Sequence, residues 1–107
     1  MWDSYKKGYT AFLQLEKSLS ENSVEAYLHD ADRLTDYLQY TNQLLSPGQL
    51  TLQHLQQFIK WLGELGISAT SQARIISGIR SFYKYCLLEQ IALHSFLLIH
   101  ITKTINL

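Results

Sequence analysis

The stretch Ser68–Tyr85 combines hydroxyl groups and cations at helical spacing, and such side chains can bind a phosphate backbone. On a helix with roughly 100° between successive residues, one side of this stretch is apolar. The other side carries Thr70, Arg74, Ser77, Ser81 and Lys84. No acidic residue occurs between Glu64 and Glu89. We therefore expect this face to approach phosphate groups and to reach base edges, and the alternative is a solvated face that lacks acids.

The other reactive residue types form no comparable pattern. The four histidines have no metal-ligand spacing, and Cys86 is the only cysteine. Cys86 falls on the apolar side of its helix, which favours a buried and inert thiol. The sequence has no glycine-rich phosphate loop and no local signature of a nucleophile with its base. We therefore predict no metal, no cofactor and no catalytic residue.

Charge is balanced overall but unevenly placed. The chain of 107 residues has 9 basic and 9 acidic side chains, which excludes a protein that is basic throughout. The second predicted helix is rich in acid, whereas Arg74, Arg80 and Lys84 make the fourth cationic. A single cysteine fits a reducing cytoplasm. Neither a signal peptide nor an apolar run of about 20 residues is present, so we expect a cytoplasmic protein that does not enter a membrane.

Four amphipathic helical patterns with short connections predict an all-α fold. They run from about Asp3 to Lys17, from Glu21 to about Tyr40, from Leu52 to about Leu65, and from Ser68 to about Gln90. The predicted N-caps are Ser20, Thr51 and Ser68, and Gly66 is the predicted C′ residue of the third helix. The apolar tail 91–107 lacks clear helical amphipathicity, so we expect it to add little to the core.

The apolar stripes also predict the core and the polar sides of the helices. The expected core comprises Phe12, Leu28, Leu34, Leu38, Leu55, Ile59, Leu62, Ile76, Ile79, Phe82 and Tyr83. The far side of the second helix is expected to carry Asn22, Ala26, His29, Arg33 and Tyr37. Gly8 lies on the stripe of the first helix, where it would permit a close helix approach. Trp61 points away from the stripe of the third helix and is expected to be a partly covered surface residue.

The order of these elements resembles a known family. LEKSLSENSVEAYLHDADRLTDYL, residues 15–38, and LTLQHLQQFIKWLGELGISATSQARIISGIRSFYKYCL, residues 50–87, carry the resemblance. They are similar to the N-terminal core-binding domain of tyrosine site-specific recombinases, of the XerC/XerD and phage integrase type. The matching positions are Ser20–Ser23, Ala26, Tyr27, Asp30, Leu52–Gly66, Ser68, Ser71, Arg74, Ser77 and Ile79–Tyr83.

The resemblance implies a four-helix SAM-like bundle of two helical hairpins over residues 1–90, followed by a C-terminal tail or truncated linker, 91–107. In that family the domain is half of a clamp around double-stranded DNA, with its second and fourth helices facing the major groove. The implied role is DNA recombination or integration, or chromosome partition. The DNA-binding residues expected on these two helices are Asn22, Ser23, Ala26, His29, Arg33, Thr70, Ser71, Arg74, Ser77, Arg80, Ser81 and Lys84.

The resemblance also implies that catalysis resides elsewhere. In the family the catalytic arginines, histidine, lysine and nucleophilic tyrosine lie in a separate C-terminal domain, for which these 107 residues have no room. We therefore expect a DNA-binding domain that is not an enzyme by itself. Ala92–Phe96 departs from the family pattern, so we expect a truncated gene or an altered reading frame after about Ile91. The alternative is a non-catalytic remnant that acts as a protein-interaction module, with the tail binding a second copy or a partner recombinase.

Overall fold

Helices α1 (Trp2–Leu15), α2 (Glu21–Tyr40), α3 (Leu52–Glu64) and α4 (Ala69–Leu88) form the described part of the molecule. A 3-10 turn, Pro47–Gln49, precedes α3. The computed structural model describes residues 2–89, and this part contains no strand. The predicted all-α fold is therefore confirmed, with helix ends that differ by about two residues. The predictions made for residues 91–107, including association through the tail, lie outside the described residues.

Hydroxyl side chains begin three of the four helices, as the sequence predicts. The Oγ atoms of Ser20 and Ser68 each accept the backbone N–H three residues later, at 3.2 Å. Thr51 and His54 cap α3 reciprocally, because His54 Nδ1 accepts the Thr51 N–H at 2.9 Å. Gly66 has a φ of +84°, the left-handed conformation expected of a C′ glycine. These local bonds fix where α2, α3 and α4 start.

The core lies where α4 packs against the other three helices. Its most central side chains, Tyr9, Phe58, Leu62 and Tyr83, have no exposed surface. The Tyr83 hydroxyl donates to the carbonyl of Pro47 at 2.6 Å and so attaches the 3-10 turn to α4. The predicted core residues that the structure buries are Leu34, Leu38, Leu55, Leu62, Ile76, Ile79, Phe82 and Tyr83. The remaining three, Phe12, Leu28 and Ile59, are half-buried and pack at its edge.

Tyr37 corrects the expected polar side of α2. It is 4% exposed, and its ring packs against Phe58 and Trp61 of α3 at centroid separations of 5.6 and 5.4 Å. The prediction was wrong because α1, α3 and α4 all pack against α2, so the buried part of its surface is wider than one apolar stripe. Trp61 is partly buried, as expected.

Two glycines allow α4 to approach its neighbours closely. A Cβ atom on Gly8 of α1 would lie 2.1 Å from the Tyr85 hydroxyl oxygen, which confirms the predicted close approach. A Cβ on Gly78 of α4 would lie 1.9 Å from the Asp30 carboxylate oxygen Oδ2 and 2.8 Å from the Asp30 Cβ. Real Cβ atoms do not make contacts this short, so the α2–α4 crossing requires glycine at position 78.

No helix within residues 2–89 combines the length and apolar character needed to span a bilayer.

Gly78→Ala should therefore destabilise the domain, although alanine is the better helix former. We expect the free energy of unfolding to fall by about 1–3 kcal/mol, because the new methyl group displaces Asp30 or separates the helices. The matched control is Gly63→Ala in α3, where the nearest atom to the added Cβ is 3.6 Å away. That change should raise the free energy of unfolding by up to about 1 kcal/mol. Urea denaturation checks both values, and two shifts of the same sign would contradict the close crossing.

Candidate nucleic-acid interface

Helices α2 and α4 lie against each other, and their polar residues border a shared groove. This first groove has a volume of about 470 Å³. It receives His29 and Arg33 from α2, and Ser71 and Arg74 from α4. The N-cap Ser68 and the preceding loop form its end. The structure therefore brings cationic and hydroxyl side chains from the two predicted helices to one place, although they are about forty positions apart in the chain.

A second groove, of about 460 Å³, runs between α4 and the end of α1. Four of the predicted residues border it: Ser77, Arg80, Ser81 and Lys84. Lys17 and Tyr27 border it as well, and sequence reasoning did not select either of them as a contact. Lys17 follows α1 and its Nζ lies 5.7 Å from the Phe12 ring centroid. Only the packing of α1 against α4 reveals it, because in the sequence it is an isolated lysine at the end of a helix.

The other predicted contacts lie outside both grooves. Asn22 and Thr70 are exposed, and Ser23 and Ala26 are half-buried. None of these four borders either groove.

Three of the predicted hydroxyl groups are engaged within the protein. The Oγ atoms of Ser20 and Ser23 are 3.0 Å apart, and those of Ser68 and Ser71 are 3.1 Å apart. Ser81 Oγ accepts the Tyr9 hydroxyl at 2.9 Å. These three serines therefore support local structure.

Asp30 of α2 is the buried partner of Arg74, and sequence reasoning did not select it as a site residue. It is 1% exposed, and its Oδ1 accepts a hydrogen bond from Arg74 Nη2 in an ion pair. The Arg74 side chain remains 56% exposed. The spacing of Tyr27, Asp30, Leu34 and Tyr37 was a signal, because it places a carboxylate in an otherwise aromatic and apolar i, i+3, i+7, i+10 series. The face of α4 carries no carboxylate of its own, but the fold places the Asp30 carboxylate of α2 against it.

Burial changes the proton affinity of this carboxyl group. Desolvation raises the pKa of Asp30 from 3.8 to about 6, although Arg74, His29 and Arg33 all act to lower it.

Burial also raises the pKa of the Cys86 thiol, to about 12, and that side chain has no exposed surface. The expected buried and inert thiol is therefore confirmed. Among residues 2–89 no three His, Cys, Asp or Glu side chains are grouped to hold a metal ion.

The Asp30 shift predicts how stability varies with pH. Since the folded-state pKa exceeds the unfolded value, the folded protein binds more protons between about pH 4 and pH 6. The contribution of Asp30 to the free energy of unfolding should fall through that interval, by up to roughly 3 kcal/mol, and level off above it. Asp30→Asn should lose this dependence. Denaturation curves of wild type, Asp30→Asn and the control Asp32→Asn test it, because the Asp32 carboxylate is half-exposed and pairs with Lys6 at 2.7 Å. Parallel pH profiles for all three proteins would contradict the prediction.

Comparison with known proteins assigns this architecture to a family. Residues 7–90 match the family described as the phage integrase N-terminal SAM-like domain. This range includes every residue of both grooves and most of α1. No solved structure matches.

Similar proteins are bacterial recombinases that are much longer than this chain. It is 38% identical over 84 residues to the tyrosine recombinase XerD of Staphylococcus epidermidis, with 78% of this chain and 28% of that protein covered. It is 35% identical over 92 residues to the tyrosine recombinase XerC of Pseudomonas syringae pv. syringae, with 86% and 30% covered. The chain thus spans about three tenths of the curated relatives that it matches. It belongs to the phage integrase N-terminal SAM-like domain family, whose members include the N-terminal domains of tyrosine recombinases.

Proposed function

We propose that this chain binds double-stranded DNA through the surface formed by α2 and α4, as the DNA-binding part of a tyrosine recombinase. The observation that carries the proposal is the first groove, where His29 and Arg33 of one helix face Ser71 and Arg74 of the other. Cations on two neighbouring helices can contact phosphates on both sides of a groove and so position a helix against base edges. The relatives are named as recombinases, which act on DNA.

We infer that the chain has no recombinase activity by itself. Its matched region is an N-terminal domain, and it spans only 28–30% of the length of the similar recombinases. A chain that supplies binding without strand cleavage depends on a separate catalytic domain. We expect it to act in a reducing cytoplasm, because its only cysteine, Cys86, is a buried free thiol.

Binding of the isolated chain should be weak and sensitive to salt. The chain has no net charge, and few cations reach the α2–α4 surface. Each phosphate that a cation neutralises contributes about 0.9 to the slope of log affinity against log salt concentration. Arg33 and Lys84 are the better residues to test. Replacing Arg74 would leave the buried Asp30 carboxylate without its partner, at a cost of about 1–3 kcal/mol in stability.

The test is titration of a labelled duplex at salt concentrations from about 50 mM upwards. Arg33→Gln with Lys84→Gln should weaken binding and lower the salt slope by up to about 1.8. The matched control is Lys7→Gln with Lys60→Gln, which removes the same charge from exposed positions on α1 and α3. The control should leave the slope close to the wild-type value. Equal losses in the two variants would refute the location of the interface, and absence of binding by wild type would favour a protein-interaction module.

A further inference from the structure

The Asp30–Arg74 pair places an anionic acceptor directly beside a proposed DNA contact. Asp30 Oδ1 bonds the guanidinium, while the buried Oδ2 has no hydrogen-bond partner among residues 2–89. The Asp30 side chain packs directly against Gly78, where an added Cβ atom would lie 2.8 Å from the Asp30 Cβ. Asp30 is buried within the protein, whereas the Arg74 side chain is half-exposed and is the partner that DNA can reach.

Phosphate and carboxylate oxygens compete for the same guanidinium donors. Both are anionic acceptors, and arginine binds either of them in the same planar geometry. A phosphate that approaches the first groove meets Arg74, whose positive charge is already paired with the Asp30 carboxylate. The desolvated Asp30 is costly to leave unpaired, so its hold on Arg74 opposes transfer of the guanidinium to DNA.

We propose that Asp30 is a positioning residue that holds Arg74 against the protein and restrains duplex binding, and that removal of its negative charge releases Arg74 to DNA. The proposal rests on the DNA-binding function proposed above. In this proposal Asp30, a buried acid of α2 that does not itself contact DNA, controls how strongly Arg74 of α4 binds the duplex. Asp30→Asn reproduces the neutral state without a change of shape.

The charged and titratable groups around Asp30 come from three helices. They are Tyr9 of α1, His29 and Arg33 of α2, and Arg74 of α4. Asp30 has a pKa of about 6, so its charge changes between about pH 5 and pH 7, and His29 is the neighbouring imidazole that acts on it. A His29→Gln background therefore isolates the proton of Asp30.

The experiment measures fluorescence anisotropy of a labelled mixed-sequence duplex of about 24 base pairs, at about 50 mM salt and pH 7, with the full chain. Asp30→Asn should bind about threefold to tenfold more tightly than wild type, with a salt slope steeper by about 0.9. Asp32→Asn makes the same charge change two positions along α2, away from both grooves, and should have a clearly smaller effect.

Two further measurements distinguish release of Arg74 from a general change in charge or folding. In the Arg74→Ala background, Asp30→Asn should change affinity no more than Asp32→Asn changes it in wild type. In the His29→Gln background, lowering the pH from about 7 to about 5 should strengthen binding when Asp30 is present and much less when it is Asn. Thermal unfolding of each variant confirms that the folded protein is the species titrated.

The contrary outcomes are separable. If wild type binds the duplex and Asp30→Asn matches Asp32→Asn or binds more weakly than wild type, the restraint by Asp30 is refuted and the interface stands. An effect of Asp30→Asn that persists without Arg74 also refutes it. If neither wild type nor any variant binds the duplex, the proposed function and this inference both fail.

Discussion

The crossing of α2 and α4 is the constraint on which the rest of the molecule depends. Gly78 has no side chain, so α4 can lie against the Asp30 carboxyl group at a distance that a methyl group would forbid. The same crossing brings Arg74 over Asp30 and aligns His29 and Arg33 with the start of α4. A wider crossing would leave the polar residues of the two helices on separate surfaces. One absent Cβ atom therefore sets both the packing and the candidate interface.

A chain without net charge can still present a cationic surface, because salt screens distant charges and leaves the nearby ones to dominate the local potential. Five of the nine acids lie on α2, whereas α4 carries three cations and no acid, and the packing of α1 adds Lys17 to the second groove. Asp30 is the exception, since it is an acid placed inside the cationic region. A buried carboxylate there allows Arg74 to lie near Arg33 without DNA to neutralise them.

Polar residues on the candidate surface are divided between structure and recognition. Ser23 and Ser71 belong to N-cap hydrogen bonds, and Ser81 accepts the buried Tyr9 hydroxyl. Their small size still allows a close approach by a backbone, so they shape the surface. In the proposed complex, the cations would supply the electrostatic attraction to phosphate. The sequence pattern does not distinguish the serines from the cations, because it shows that a side chain is polar but not which groups it already bonds within the protein.

Local signals in the sequence were sufficient for the helices and their starts. Hydroxyl caps at Ser20, Thr51 and Ser68, the left-handed Gly66 and the apolar stripes act over a few residues, and the short-range hydrogen bonds that they predict are present. The residues themselves indicated the carboxylate-free face of α4, and the family resemblance independently indicated α2 together with α4. Only the tertiary structure decided that Tyr37 is buried, that Gly78 faces Asp30, and that Arg74 is paired from below. These facts depend on the crossing distance and on which neighbour covers each side of a helix. They come from pairs of residues dozens of positions apart, whose proximity follows from packing and not from periodicity.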